Sequence, residues 1–218
     1  MKLVWSPETA SKAYLDTVKT CELSNESSVA EMISAMAAGW NARLIVETWT
    51  KGGVMATSIG LAIASHHTGG KHVCIVADEA SRMEYIEAME KAGKSPPQVI
   101  VGEPEEAAEG LEGGIDFMVV DCRQSEFARI FKVAKLGERG AVLICKNAFS
   151  KLASDFRWNS VLDAKSRIVR SVFLPVGNGL DIAHVGAKSE NSSGTRKGAG
   201  RWIKHINRET GEEFVIRK

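Results

Sequence analysis

The chain has 218 residues, 44% hydrophobic and 25% charged, which suits one soluble α/β domain with a full core and a small appendage. Its 28 Lys and Arg offset 27 Asp and Glu, leaving a formal charge of +1, so no global charge points to nucleic acid or to a membrane surface. No apolar run is long enough to span a bilayer, and Met1 to Glu8 lacks the apolar stretch of a secretory signal.

Ser6-Pro7-Glu8 reads as a helix start: a hydroxyl cap, a proline at the first helical position and an acid in the first turn. That helix carries Ala10, Ala13, Tyr14 and Val18. Asn25-Glu-Ser-Ser opens a second helix, in which Val29, Met32, Ile33 and Met36 recur at helical spacing until Gly39 ends it. Leu44-Ile-Val46 is apolar with no polar face, the pattern of a strand buried on both sides. Lys51, Gly52 and Gly53 break that run, and Thr57 to Ala64 reads as a helix of small and apolar residues. Strand, glycine turn and helix begin many α/β nucleotide sites, because the turn lets a ligand approach backbone N–H groups at a helix N-terminus. A tight strand-to-helix turn in any α/β fold reads equally well from these residues.

The pattern then alternates. His72–Ala77, Gln98–Val101, Ile115–Asp121 and Ala141–Cys145 are strand-like. Between them, Ser81–Ala92, Glu105–Glu109 and Glu126–Leu136 are helical. Alternation at this spacing predicts right-handed βαβ units, hence a mostly parallel sheet with helices on both faces. Lys165–Pro175 and Leu180–Val185 are strand runs joined only by Val176-Gly-Asn-Gly179. So short a link cannot be a crossover, so this pair is expected to be antiparallel. Residues 1–186 therefore read as one Rossmann-like α/β domain. Residues 187–218 read as a flexible basic loop followed by a small hairpin, Arg201–Asn207 with Glu213–Arg217. Cys21, Cys74, Cys122 and Cys145 show no CxxC spacing. Reduced thiols in a cytoplasmic or nuclear setting are expected, with no zinc site.

Local motifs add a resemblance. Glu8-Thr-Ala-Ser opens the chain's first helix, and Glu47 is followed by Gly53. Lys91-Ala-Gly, Val101-Gly-Glu, Val119-Val-Asp121, Lys146-Asn147 and Leu174-Pro-Val-Gly-Asn-Gly-Leu180 follow in order. Across residues 8–185 this series resembles the class I S-adenosylmethionine-dependent methyltransferases, most nearly the cation-dependent enzymes acting on catechols and caffeoyl-CoA. Over its whole length, the tail Arg201-Trp-Ile-Lys-His-Ile included, the chain resembles a plant family of unknown function.

The resemblance implies S-adenosylmethionine at the C-terminal edge of the sheet, bound through Glu47, Trp49, Gly52, Gly53, Asp78, Glu103 and Asp121. It also implies a homodimer. The departures are as informative. Trp49 stands where the enzymes have a glycine against the cofactor. Asp78 serves the ribose only if its loop is two residues shorter than in the family. Asp121 and Asn147 match two metal ligands, but Lys146 replaces the middle carboxylate, and magnesium requires anionic oxygens. No metal is expected, and a Lys146–Asp121 ion pair is expected in its place. Gln124 occupies the position of the family's catalytic lysine, and neither it nor Arg123 can act as a base. Asp121, Lys146 and Asn147 are the remaining catalytic candidates. His66, His67 and His184 are other sources of a base. The aromatic-rich loop 148–165, with Phe149, Phe156 and Trp158, is the expected lid.

Three functions stand open on the sequence. One is a metal-independent methyltransferase on a small acceptor. Another is a binding or regulatory module that kept the fold without the chemistry. The last is an RNA- or protein-binding role for the basic tail, against which a hairpin capping a sheet edge is the plainer reading.

Overall fold

The computed structural model describes residues 5–21, 27–162, 166–187, 202–206 and 213–217. The chain divides into two compact units, Met1–Lys188 and Ser189–Lys218. Two helices open the first, α1 (Pro7–Cys21) and α2 (Ser27–Gly39). The Ser6 hydroxyl caps α1, accepting a hydrogen bond from the Thr9 backbone N–H at 3.4 Å. Alternation follows: β1 (Leu44–Thr48), α3 (Ala56–Thr68), β2 (Lys71–Val76), α4 (Glu79–Lys91), β3 (Gln98–Val101) and α5 (Pro104–Glu109). It continues through β4 (Phe117–Asp121), α6 (Arg129–Val133), β5 (Gly140–Lys146), α7 (Trp158–Val161), β6 (Ile168–Leu174) and β7 (Leu180–Gly186).

These strands form one seven-stranded sheet of order β3-β2-β1-β4-β5-β7-β6. β1 to β5 are parallel; β7 runs antiparallel to both β5 and β6. The second unit contributes β8 (Trp202–Ile206) and β9 (Glu213–Arg217), paired antiparallel as a separate two-stranded sheet. The expected loop between the units falls largely outside the described residues.

The central strands are buried on both faces, so their alternating side chains feed two cores. Ile45, Cys74, Phe117 and Ile144 pack beneath α1, α2, α3 and α4. Val46, Val73, Met118 and Leu143 pack against α5, α6 and α7. Helix α3 lies close to α2 because residue 60 is glycine. A Cβ there would stand 2.8 Å from the Ala30 carbonyl oxygen.

One predicted helix is much shorter than expected. The run 126–136 yields only α6, Arg129–Val133. Glu126 adopts a left-handed conformation with φ of 61°, which a right-handed helix cannot include. The strand order reverses between β1 and β4, where chains leaving the C-terminal ends of neighbouring strands diverge and leave a crevice.

Candidate functional site

A cleft of about 950 Å³ opens at this point. Thr48 at the end of β1, the turn Thr50–Gly53, Ala77 after β2 and Glu103 before α5 form one wall. Residues 123–127, after β4, form the other. Gly52 is left-handed with φ of 72°, and a Cβ there would meet nothing within 4 Å. The turn therefore needs glycine for its backbone angle, and it presents open space to the cleft. Of the residues expected to bind a cofactor, Gly52, Gly53 and Glu103 line the cleft.

Trp49 does not enter it. Its backbone N–H donates to the Ile75 carbonyl at 3.0 Å, so the chain is still in strand register. The ring therefore follows Ile45 and Glu47 to the α4 face, 3% exposed. There it meets Tyr85 edge-on, with centroids 5.4 Å apart. Gly53 covers the ring, since a Cβ there would lie 2.8 Å from Trp49 Nε1. The steric conflict expected from a tryptophan at this position is relieved by strand parity.

Glu47 is also turned inward, 1% exposed and away from the cleft lining. Tyr85 Oη donates to its Oε1 at 2.7 Å and Ser58 Oγ to its Oε2 at 2.9 Å. His72 Nε2 lies 3.1 Å from Oε1. Burial drives this carboxyl upward, but His72, the charge of Lys146 and the Tyr85 hydroxyl together hold it below the ordinary glutamate value. Burial, with Glu47 beside it, pushes the Tyr85 hydroxyl well up. Neither His72 nor Tyr85 stood out in the sequence. The one signal was a histidine inside an otherwise apolar strand.

Asp78 caps α4, its Oδ1 accepting from the Ser81 N–H at 2.7 Å. Ala77 reaches the cleft in its place.

The position at which the sequence resemblance implies a metal site is a closed electrostatic cluster. Asp121 is 3% exposed at the end of β4. Arg123 reaches back along the chain and donates from Nη2 to Oδ2 at 2.7 Å and from Nε to Oδ1 at 3.1 Å. The Arg123 backbone N–H and Asn147 Nδ2 each donate to Oδ1 at 3.0 Å. Burial raises this carboxyl, yet the hydrogen bonds from Arg123 and Asn147 and the charge of Lys146 bring it below the usual aspartate value. Lys146, 5% exposed, is the strand-register neighbour of Asp121. The expected Lys146–Asp121 pair is thus corrected. Arg123 takes both carboxylate oxygens, and Lys146 acts only through its field. Asn147 is left-handed with φ of 58°, and its Oδ1 accepts from Asn178 Nδ2 at 3.2 Å, tying the end of β5 to the β6–β7 turn.

A divalent cation does not fit these residues. Both Asp121 oxygens are occupied by a guanidinium, and an ammonium group stands where a carboxylate ligand is required. Among the described residues no group of three His, Cys, Asp or Glu side chains is arranged to hold a metal ion.

The other expected bases lie elsewhere. His184 pairs in register with Val142, well before the end of β5, and contacts Trp40. His66 and His67 are in the last turn of α3, and His67 Nε2 lies 2.8 Å from Asp16 Oδ2. The expected lid is corrected in part. Phe156 and Trp158 are buried against Phe127 and Phe131, and Trp158 Nε1 donates to Asp181 Oδ1 at 2.7 Å. Those two rings close the sheet face; Phe149 is exposed and meets Phe173 edge-on. No helix among the described residues is long and apolar enough to cross a membrane. The basic side chains of the tail lie outside the described residues.

Comparison with known proteins gives a consistent picture of the fold. A methyltransferase from Geobacter sulfurreducens superposes with a TM-score of 0.58 at 18% identity, covering 83% of this chain and 90% of that one. The O-methyltransferase TomG from Streptomyces achromogenes, solved in complex with SAM, gives 0.57 at 22% identity, covering 85% and 92%. An O-methyltransferase from Bacillus cereus, solved with SAH, gives 0.56 at 19% identity, covering 84% and 93%. The seven-stranded sheet is thus the Rossmann-like methyltransferase fold. No sequence of curated function matches the chain. A family model described as a protein of unknown function, DUF1442, matches residues 1–218.

Proposed function

The chain belongs to the DUF1442 family, and we propose that it is a metal-independent methyltransferase that takes S-adenosylmethionine in the cleft above β1 and β4. The observation that carries this reading is the placement of Trp49. Its ring is packed under the glycine turn, so the cleft that a tryptophan at this position is expected to block is open. Two fold neighbours, crystallised with SAM or SAH, support the same ligand. When bound, S-adenosylmethionine supplies an electrophilic methyl group. The Thr50–Gly53 turn borders the ligand at the end of β1. Of the carboxylates that line the cleft, Glu103 is the one expected from the sequence to bind the cofactor, and it is suited to ribose hydroxyls, because Asp78 is committed to α4. Arg123 and Lys146 supply the fixed positive charge that the cation-dependent enzymes obtain from a metal. Rate enhancement then rests on positioning and exclusion of water.

A specific observation favours a second reading, binding without transfer: Asp121, the carboxylate among the catalytic candidates, is already taken up by Arg123 and Asn147. The turn also offers a ligand fewer free donors than its glycines suggest. The Gly52 N–H is held by Glu84 Oε1 at 2.9 Å and the Gly53 N–H by the Thr50 carbonyl at 2.8 Å. Two donors of the turn are therefore already engaged inside the protein. Calorimetric titration with S-adenosylmethionine and S-adenosylhomocysteine, with and without Mg²⁺, tests both readings. Micromolar binding indifferent to Mg²⁺ is the expected result. Absence of heat and of any thermal shift at millimolar ligand overturns both. Transfer of a labelled methyl group to an acceptor panel then separates the enzyme from the binding module.

A further inference from the structure

The glycine turn after β1 does not offer the cleft the backbone donors that a strand-turn-helix site usually presents. Its Gly53 N–H closes the turn on the Thr50 carbonyl at 2.8 Å. Gly52, the third of the four residues, has φ of 72°, and Lys51 before it is not left-handed. An i to i+3 bond with a left-handed residue only at the third position is a type II turn. Types I and II differ by a half-rotation of the central peptide, here the one between Lys51 and Gly52.

Glu84, on α4, fixes that peptide. Its Oε1 accepts the Gly52 N–H at 2.9 Å. The N–H and C=O of a trans peptide point in opposite directions, and no peptide bond among the described residues is cis. The Lys51 carbonyl therefore points away from α4. Thr50, Lys51, Gly52 and Gly53 line the cleft, and no residue of α4 does. The other orientation is open to the chain. Glycine takes the φ of either turn type, and a Cβ at residue 52 would meet nothing within 4 Å. Neither strain nor crowding enforces the observed turn. In the rotated form the Lys51 carbonyl would face the Glu84 carboxylate, acceptor against acceptor, so Glu84 selects against it.

We propose that Glu84 is a positioning residue for the cleft. By holding the Gly52 N–H it keeps the Lys51 carbonyl on the ligand's side, where that carbonyl accepts from the α-ammonium group of S-adenosylmethionine. This role rests on the function proposed above. Without Glu84 the central peptide samples both orientations. The rotated one turns an N–H towards the same ammonium group, so donor meets donor and binding weakens.

The test compares the parent chain with Glu84→Ala and with Glu84→Gln, which keeps a side-chain oxygen to accept the Gly52 N–H. Calorimetry measures S-adenosylhomocysteine and the same thioether without its α-amino group, and the Gly52 amide proton resonance is followed in parallel. Glu84→Ala is expected to move that resonance upfield and to weaken S-adenosylhomocysteine about threefold to tenfold, the effect of one hydrogen bond. Glu84→Gln is expected to restore both. The compound without the amino group is expected to bind all three forms alike. Unchanged affinity for S-adenosylhomocysteine in Glu84→Ala overturns the proposal. An equal loss for the compound without the amino group does so too, because it marks general damage to the cleft. An unmoved Gly52 resonance in Glu84→Ala overturns the latch itself, with or without ligand. A parent chain that binds neither compound is the failure of the cleft reading, and the role of Glu84 in ligand binding falls with it.

Discussion

Glu47 shows how far a residue's environment can outweigh its position in a motif. A carboxylate that reads as a cofactor ligand is a buried anchor, joining β1 to β2 through His72 and to α4 through Tyr85. Its folded-state acidity is stronger than that of the free side chain, so the sign of its pH linkage is set. The stabilisation is present above the unfolded value, about 4.3, and is lost as pH falls through the lower folded value. Glu47→Gln is expected to reduce unfolding free energy at neutral pH by about 2–4 kcal/mol. It is also expected to flatten the loss of stability below pH 5, as read by urea titrations at a series of pH values. An unchanged acid limb would show that the carboxylate carries no such linkage. Trp49 makes a parallel case. Trp49→Ala removes a buried ring and is expected to cost about 3–5 kcal/mol. Affinity for S-adenosylhomocysteine should not improve, because the ring never occupied the cleft. Tighter binding in that variant would place the ring in the ligand's way.

At the scale of elements, the central strands are buried along their whole length, and the approach of α3 to α2 is set by a small residue. Gly60 is the contact point of α3 with α2. Adding one methyl would bring it against the Ala30 carbonyl, and also to 3.3 Å from Ser34 Cβ. Backbone cannot retreat as a flexible side chain can, so the helices must separate or tilt. Gly60→Ala is expected to destabilise by about 1–3 kcal/mol, despite the better helix propensity of alanine. A chemical denaturation midpoint equal to or above that of the parent would refute the close approach. The short α6 carries a related lesson. A left-handed Glu126 just before it leaves residues 123–127 as an irregular wall, and that wall is what gives the cleft its second side.

The whole molecule places its cleft at the C-terminal ends of the parallel strands, and the cleft belongs to residues of the first unit. Deletion of residues 189–218 is therefore expected to leave a single cooperative unfolding transition. Cofactor binding should match that of the full chain. At a ligand concentration a hundredfold above Kd, both forms should gain about 2.7 kcal/mol from mass action. Loss of binding on truncation, measured by the same titration, would assign the tail a part in the cleft.

The sequence by itself determined the layered architecture. Apolar runs of strand length, separated by helical segments, allow only parallel crossovers, and the link Val176–Gly179 is too short for anything but an antiparallel return. It also determined that Lys146 cannot serve as a metal ligand, since that follows from charge alone. The tertiary structure decided which carboxylates, rings and cations share a space. Trp49 leaves the cleft because β1 keeps pairing with β2 through residue 49. Arg123, not Lys146, closes on Asp121 because the chain turns back immediately after β4. His72 meets Glu47 because β1 and β2 align Ile45 with His72, putting both side chains on one face two residues apart. Local periodicity fixes the elements, since it depends on neighbours in the chain. Side-chain encounters depend on the register between strands, which the chain acquires only on folding.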